Sequence, residues 1–187
     1  MGRLIVSMNL SLDGYIEGPG REDGSWVRID EEVHTHVNRL AAGADALLYG
    51  RKVYEVMIPY WPDAAEDASK PAYEIEFGRI WTSKKKVVFS TTLKEARWNT
   101  RIVGHGLAEE VARLKRETPN YLLSFGGADV ASTLQQHGLI DEYQLFVNPS
   151  IFGSGVAFFR HPADLELLDA RTFKTGMVAL RYAPVPS

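Results

Sequence analysis

Three short segments of this chain combine residue types that suit phosphate binding. Tyr49-Gly50-Arg51-Lys52-Val53-Tyr54 runs from an apolar stretch through a glycine into two cations. Phe89-Ser90-Thr91-Thr92 runs from a strand into a hydroxyl cluster, and Ser124-Phe125-Gly126-Gly127-Ala128-Asp129-Val130 runs from a strand through two glycines into a helix. Glycine lets backbone N–H groups approach a pyrophosphate, a helix start carries partial positive charge, and hydroxyls with Arg or Lys bind phosphate oxygens. Each segment alone is common in proteins that bind nothing. Their succession in this order favours a phosphate-binding role. No P-loop consensus and no GxSxG elbow occurs, and neither Gly104-His105-Gly106 nor Gly153-Ser154-Gly155 is completed to GxGxxG.

The elements that must position these segments follow from periodicity. Arg3–Met8 reads as a buried strand, followed by a turn-rich loop through Asp13-Gly14 and Gly18-Pro19-Gly20. A helix is predicted from an Asp30 N-cap, with Val33, Val37 and Leu40 on one face and a stop at Gly43. Ala46–Tyr49 is a strand. Residues 51–70 read as a short helix and an irregular segment, with Ser69 capping another short helix through Ile75 and Ile80. Lys84-Lys85-Lys86 leads into the strand Val87–Ser90, as a solvated entry or an anion patch. Arg101–Val103 is a strand, and Leu107–Thr118 an amphipathic helix with Glu109 and Arg113 paired on its outer face. Tyr121–Phe125 is a strand, and Asp129–Gln136 a helix ending at Gly138. From residue 139 the pattern turns to β: Glu142–Val147, Val156–Phe159, and a hairpin of Leu165–Phe173 with Met177–Ala183 about Thr175-Gly176. The expected fold class is α/β in three layers. Its one mixed sheet is mostly parallel, with Glu142–Val147 and the C-terminal strands antiparallel.

Composition narrows the function. At 187 residues, 45% hydrophobic and 24% charged, one domain over residues 1–187 is expected. The absence of cysteine excludes disulfides, thiolate nucleophiles and cysteine metal sites. Lys+Arg 21 against Asp+Glu 24 leaves a net charge of −3, which argues against nucleic acid as a partner. No apolar run is long enough to span a membrane and no secretion signal is read, so a cytoplasmic protein with no membrane partner is expected. His34 and His36, two apart on a helix, cannot chelate one metal from one face and read as solvated, while His105, His137 and His161 read as turn residues. No metal site is expected.

With these residues in view, the chain resembles the dihydrofolate reductase-like superfamily, and more closely the reductase domain of the bifunctional deaminase–reductases of riboflavin biosynthesis. The resemblance rests on Ser11-Leu12-Asp13-Gly14-Tyr15-Ile16, on Ala44 through Glu55, on Phe125-Gly126-Gly127, on Asp141-Glu142, and on Pro149 through Gly153-Ser154-Gly155 to Phe158-Phe159. It covers nearly the whole chain, and no deaminase domain is expected before it. It implies NADPH as cofactor, with Gly50, Arg51, Lys52 and Val53 near the adenosine phosphates, and Ser90 and Thr91 at the 2′-phosphate. Gly126 and Gly127 would face the pyrophosphate, followed by Ala128, Asp129 and Val130. Val53 departs from the family, which often has a threonine there. Relatives of the dihydrofolate reductase type carry a cis peptide between two such glycines, so an unusual peptide or a positive φ is expected at this pair.

The same resemblance implies hydride transfer to a small heterocyclic substrate, a ribosylated aminopyrimidine or a pterin-like ring, and a homodimer through the C-terminal strands. Tyr15, Trp26, Tyr60, Trp61, Phe152 and Gly153 are the candidate substrate residues; the aromatic ones either stack on the ring or pack under a loop. Asp13 is the candidate proton relay, or else an Asp-Gly turn residue. Glu31, Glu32 and His34 are alternative acids. Gly153-Ser154-Gly155 either clasps a substrate phosphate or forms a bulge. A pterin or other small-molecule reductase, and a catalytically idle NADP-binding protein, are the competing readings.

Overall fold

The apolar runs separated by helices become the parallel strands of one sheet, because each helix carries the chain back to the end from which the next strand starts. The computed structural model describes residues 1–185. The chain runs β1 (Arg3–Leu10), β2 (Tyr15–Glu17), α1 (Glu31–Gly43), β3 (Ala46–Gly50), α2 (Arg51–Met57), α3 (Trp61–Glu66), α4 (Ala72–Ser83) and β4 (Lys85–Phe89). It continues with β5 (Thr100–Val103), α5 (Leu107–Glu117), β6 (Tyr121–Gly126), α6 (Ala128–Gln136), β7 (Glu142–Val147), β8 (Val156–Ala157), β9 (Leu165–Thr172) and β10 (Val178–Pro184). Eight strands form a sheet in the order β5-β4-β3-β6-β1-β7-β10-β9. Alternating side chains feed two cores: Leu4, Val6, Leu48 and Leu122 pack under α5 and α6 through Val111 and Leu134, while Ile5, Leu47, Tyr49 and Leu123 pack under α1 and α4 through Ala41, Phe77 and Trp81.

Strand β7 departs from the expected orientation. It pairs with β1 in parallel, Val6 opposite Tyr143 and Met8 opposite Leu145, and only β10 and β9 run antiparallel. The reason is α6, which carries the chain from β6 over β1 and so returns it to the same end of the sheet. The segment 156–159 also differs: only Val156–Ala157 is a strand, paired antiparallel with β2 in a separate two-stranded sheet.

Local chemistry sets the helix ends. Asp30 caps α1 as read, accepting from the Val33 N–H at 2.9 Å. Helix α4 begins after Pro71 rather than Ser69, whose N–H and hydroxyl both turn onto Asp67. The lysine run is neither solvated nor an anion patch at two of its three positions. Lys84 Nζ donates to the Ala42 and Ala44 carbonyls at 2.6 and 2.5 Å. Lys86, only 1% exposed, donates to the Trp81 and Lys84 carbonyls, and burial pushes its ammonium pKa down to about 8. Both cations close the carbonyl end of a helix. On α5, Arg113 pairs with Glu110 and Glu117 rather than Glu109.

Adjacent strands β3 and β6 send their chains to opposite faces of the sheet, into α2 beside Trp81 and into α6 beside Leu134. A sheet parts its connections at such a point and leaves a crevice beyond the carboxyl ends of the strands.

Candidate functional site

A cleft of about 730 Å³ occupies that crevice. It brings together Gly50, Arg51, Lys52 and Val53 from the β3–α2 turn, Ser90 and Thr91 after β4, and Gly126, Gly127, Ala128, Asp129 and Val130 from the β6–α6 turn. Glycine at position 50 is dictated by the closeness of the two turns, since a Cβ there would lie 2.8 Å from the Gly126 carbonyl oxygen and 3.2 Å from Val130 Cγ2. The β6 register slips at this point, with Tyr49 opposite Gly126, a bulge that turns the strand end toward the cleft. Gly127 has φ +91° and ψ 154°, a backbone region open only to glycine. A Cβ at Gly127 would meet nothing closer than Val53 Cγ2 at 3.7 Å, so bare backbone is presented there. The described residues contain no cis peptide bond; positive φ at Gly127 is the unusual feature of the pair.

The rim carries the polar groups. Arg51 reaches Glu55 at 2.7 Å along α2, and Lys52 is exposed beside it. Ser90 Oγ accepts from the Thr92 and Leu93 N–H groups at 3.2 and 2.9 Å, which closes its turn, and lies 3.4 Å from the Thr92 hydroxyl. Val53, without a hydroxyl, contributes only apolar surface. Arg160 and Asp129 form an ion pair at 2.6 Å on the rim.

The other end of the cleft is walled by Met8, Ile16, Glu17 and Val156, brought there by the pairing of β2 with β8. Asp13 holds this wall from behind. Its carboxylate accepts from Ser11 Oγ at 2.7 Å, from the Phe152 N–H at 3.1 Å and from the Gly153 N–H at 2.7 Å. The Ser11 hydroxyl, followed by the Gly153 and Phe152 N–H groups, lowers the Asp13 pKa below the usual carboxylate range. Its oxygens are taken up by these donors and it is not among the residues lining the cleft, so it is not placed to exchange a proton with a ligand there. Asp13 therefore belongs with the turn reading, and the cleft does not contain it.

The six candidate substrate residues also lie outside the lining. Trp26 is buried edge-on against Phe152, with ring centroids 4.9 Å apart. Tyr15 is a β2 residue in register with Ala157, and Gly153 is tied to Asp13. Tyr60 bonds Glu74, and Trp61 packs on Phe77 at 4.4 Å, in the α3–α4 corner. Gly155, with φ +142°, packs against the Glu17 backbone just before β8, and the bulge of this pairing lies on β2 between Tyr15 and Glu17. His34 is buried rather than solvated, its ring against Trp61, Tyr73 and Phe77 and its Nδ1 3.0 Å from Asn38 Oδ1, and burial lowers its pKa. Half-buried His36 packs on Phe146 and Phe173. Glu32 pairs with Arg171, so no carboxylate of α1 enters the cleft.

Several lining residues escaped the sequence reading. Gly104, His105 and Gly106 wall the cleft beside Ser90 and Thr91, and the strand-then-glycine pattern after β5 was a usable signal for them. Glu17 and Arg160 had none, since strand β2 and the segment after β8 reach the cleft only through non-local contacts. Among the described residues no group of His, Asp or Glu could hold a metal ion, and no helix is long and apolar enough to cross a membrane.

Residues 3–179 match the model of the RibD C-terminal domain. The uncharacterized protein YyaP of Bacillus subtilis strain 168 is 31% identical over 185 residues, 96% of this chain and 94% of that protein. A putative riboflavin biosynthesis protein from Shewanella sp. PV-4 superposes with a TM-score of 0.73 at 20% identity, over 98% of this chain and 99% of its own. A diaminohydroxyphosphoribosylaminopyrimidine deaminase/5-amino-6-(5-phosphoribosylamino)uracil reductase of Thermotoga maritima superposes with a TM-score of 0.64 at 17% identity. That match spans 98% of this chain but 57% of the bifunctional protein. At these identities the two structures share the fold.

Proposed function

Because the chain belongs to the RibD C-terminal domain family, we propose that it is an NADPH-dependent reductase of the riboflavin-biosynthesis type, transferring hydride to a ribosylated aminopyrimidine or a similar small heterocycle. The observation that carries this reading is the cleft in which the bare Gly127 backbone is brought together with the cations and hydroxyls of residues 51, 52, 90 and 91. These residues fit a dinucleotide: the glycines accept a pyrophosphate against the backbone, while Arg51, Lys52, Ser90 and Thr91 hold the 2′-phosphate. The bound nicotinamide supplies the hydride. The wall of Ile16, Glu17 and Val156 places the substrate, and Glu17, a carboxylate lining this end, takes the proton-relay place that Asp13 does not fill.

The test is NADPH oxidation with a panel of ribosylated aminopyrimidines and pterins. Oxidation with an aminopyrimidine is expected, and NADPH binding without oxidation of any panel member would favour the idle NADP-binding reading instead. Arg51→Ala should weaken NADPH about ten-fold or more and leave NADH nearly unchanged, because a charge-assisted bond to the 2′-phosphate contributes roughly 1.5–3 kcal/mol. Equal loss for both cofactors would move Arg51 to the shared phosphates.

The functional unit is proposed to be a homodimer. Strand β9 is a sheet edge whose successive residues are exposed on both faces, with Leu167 53% and Leu168 46% exposed. An edge of this kind invites pairing with a second chain. Sedimentation should show a dimer that Leu168→Glu converts to monomer; a monomeric wild type would end this proposal.

A further inference from the structure

Arg160 reaches the cleft from outside the local motifs. It sits on the irregular segment after β8, which is fastened to α6 by Ser132 Oγ against His161 Nε2 at 2.8 Å and by Gln135 Nε2 donating to the His161 carbonyl at 3.1 Å. That fastening brings the guanidinium to the first turn of α6, where it meets Asp129 directly after the Gly126-Gly127 turn. The Asp129 side chain is 90% exposed and the Arg160 side chain 39%, and both line the cleft. An exposed ion pair of this kind is worth little by itself, so the cation is loosely held. The planar guanidinium fork matches phosphate oxygens in a two-bond geometry. A bare carboxylate beside a phosphate-binding turn, by contrast, would repel the ligand.

We propose that Arg160 is the cation that grips the cofactor's pyrophosphate, and that Asp129 holds it over the cleft until the phosphates arrive. The inference rests on the reductase reading above and adds to it a residue from a different part of the chain, serving the phosphates common to NADPH and NADH. Arg51, on the β3–α2 turn beside the Ser90-Thr91 hydroxyls, serves the distinguishing phosphate instead.

Fluorescence titration of NADPH and NADH into wild type, Arg160→Ala, Asp129→Asn and the double variant tests this, with thermal melts to confirm that each is folded. Arg160→Ala should weaken both cofactors equally, by about ten-fold or more, the loss of a charge-assisted contact. Asp129→Asn should tighten both, by freeing the guanidinium. The double variant should remain as weak as Arg160→Ala. Recovery of wild-type affinity in the double variant would mean that Arg160 only neutralises Asp129, and would overturn the proposal. So would a loss confined to NADPH, or unchanged binding by Arg160→Ala. Wild type binding neither cofactor would overturn the reductase reading and this inference with it.

Discussion

Gly127→Val is expected to abolish NADPH binding in a protein that remains folded. At φ +91° and ψ 154° the position lies in a region that β-branched residues do not adopt without strain of about 1–3 kcal/mol. A domain of ordinary stability, roughly 5–15 kcal/mol, tolerates that. The added Cβ also has room within the protein, its nearest neighbour being Val53 Cγ2 at 3.7 Å. The two further methyl groups, however, occupy the surface where the pyrophosphate must touch backbone. We expect an affinity loss of more than about 100-fold, the loss of two backbone hydrogen bonds to charged phosphate oxygens at roughly 1.5–3 kcal/mol each. Titration of NADPH with circular dichroism on the same samples checks it. Retained binding near wild-type affinity would remove the cofactor from this turn, and global unfolding would assign the glycine to the fold; Gly127→Ala, with less strain, separates the two outcomes if the valine variant is poorly behaved.

Gly155→Ala is expected to destroy turnover while sparing cofactor affinity. A Cβ at this residue, which has φ +142°, would stand 2.0 Å from the Glu17 carbonyl oxygen and 3.0 Å from Gly18 Cα. Both are backbone atoms that cannot move aside, so the pairing of Glu17 with Val156 must break. The wall of Ile16, Glu17 and Val156 then loses its position. Since a displacement of about 1 Å at a reacting centre can cost about 100-fold, turnover should fall by at least that factor. The phosphate end of the cleft, built on β3, β4 and β6, should hold NADPH almost as before. Limited proteolysis should show new cleavage within residues 18–25 and 150–155. Normal turnover, or a segment still protected, would separate this strap from the chemistry.

The two variants divide the site along the line that divided its legibility. The end of the cleft built on the turns after β3, β4 and β6 could be read because each contribution is local: a strand, a glycine and a cation, hydroxyl or helix start within four or five residues. Every residue so named, from Gly50 to Val130, lies in the one cleft. The opposite end is assembled by contacts between residues some 140 positions apart, such as Asp13 with Gly153. There the residue types misled. Trp26, Tyr60 and Trp61 have the right chemistry for stacking on a heterocycle, but Trp26 packs on Phe152, Trp61 packs on Phe77, and the exposed Tyr60 ring is held in the α3–α4 corner by Trp61 and Glu74. The histidines and lysines misled in a related way. His34 lies on the α1 face that meets α4, and Lys86 points its ammonium at helix-end carbonyls, so polarity alone did not place either in solvent.

By itself, the sequence determined the α/β class, the parallel strands, the Asp30 cap, the C-terminal hairpin and the three strand-end turns that meet in the cleft, because short-range sterics and hydrophobic periodicity act within a few residues. Tertiary structure alone decided that β7 runs parallel to β1, since orientation depends on which strand the α6 crossover passes. It also decided that Asp13 fastens Gly153, that Glu17 lines the cleft, and that Arg160 meets Asp129. Those outcomes depend on which distant backbone N–H groups and cations come within hydrogen-bond reach once the sheet has closed, and no local rule of the chain encodes that distance.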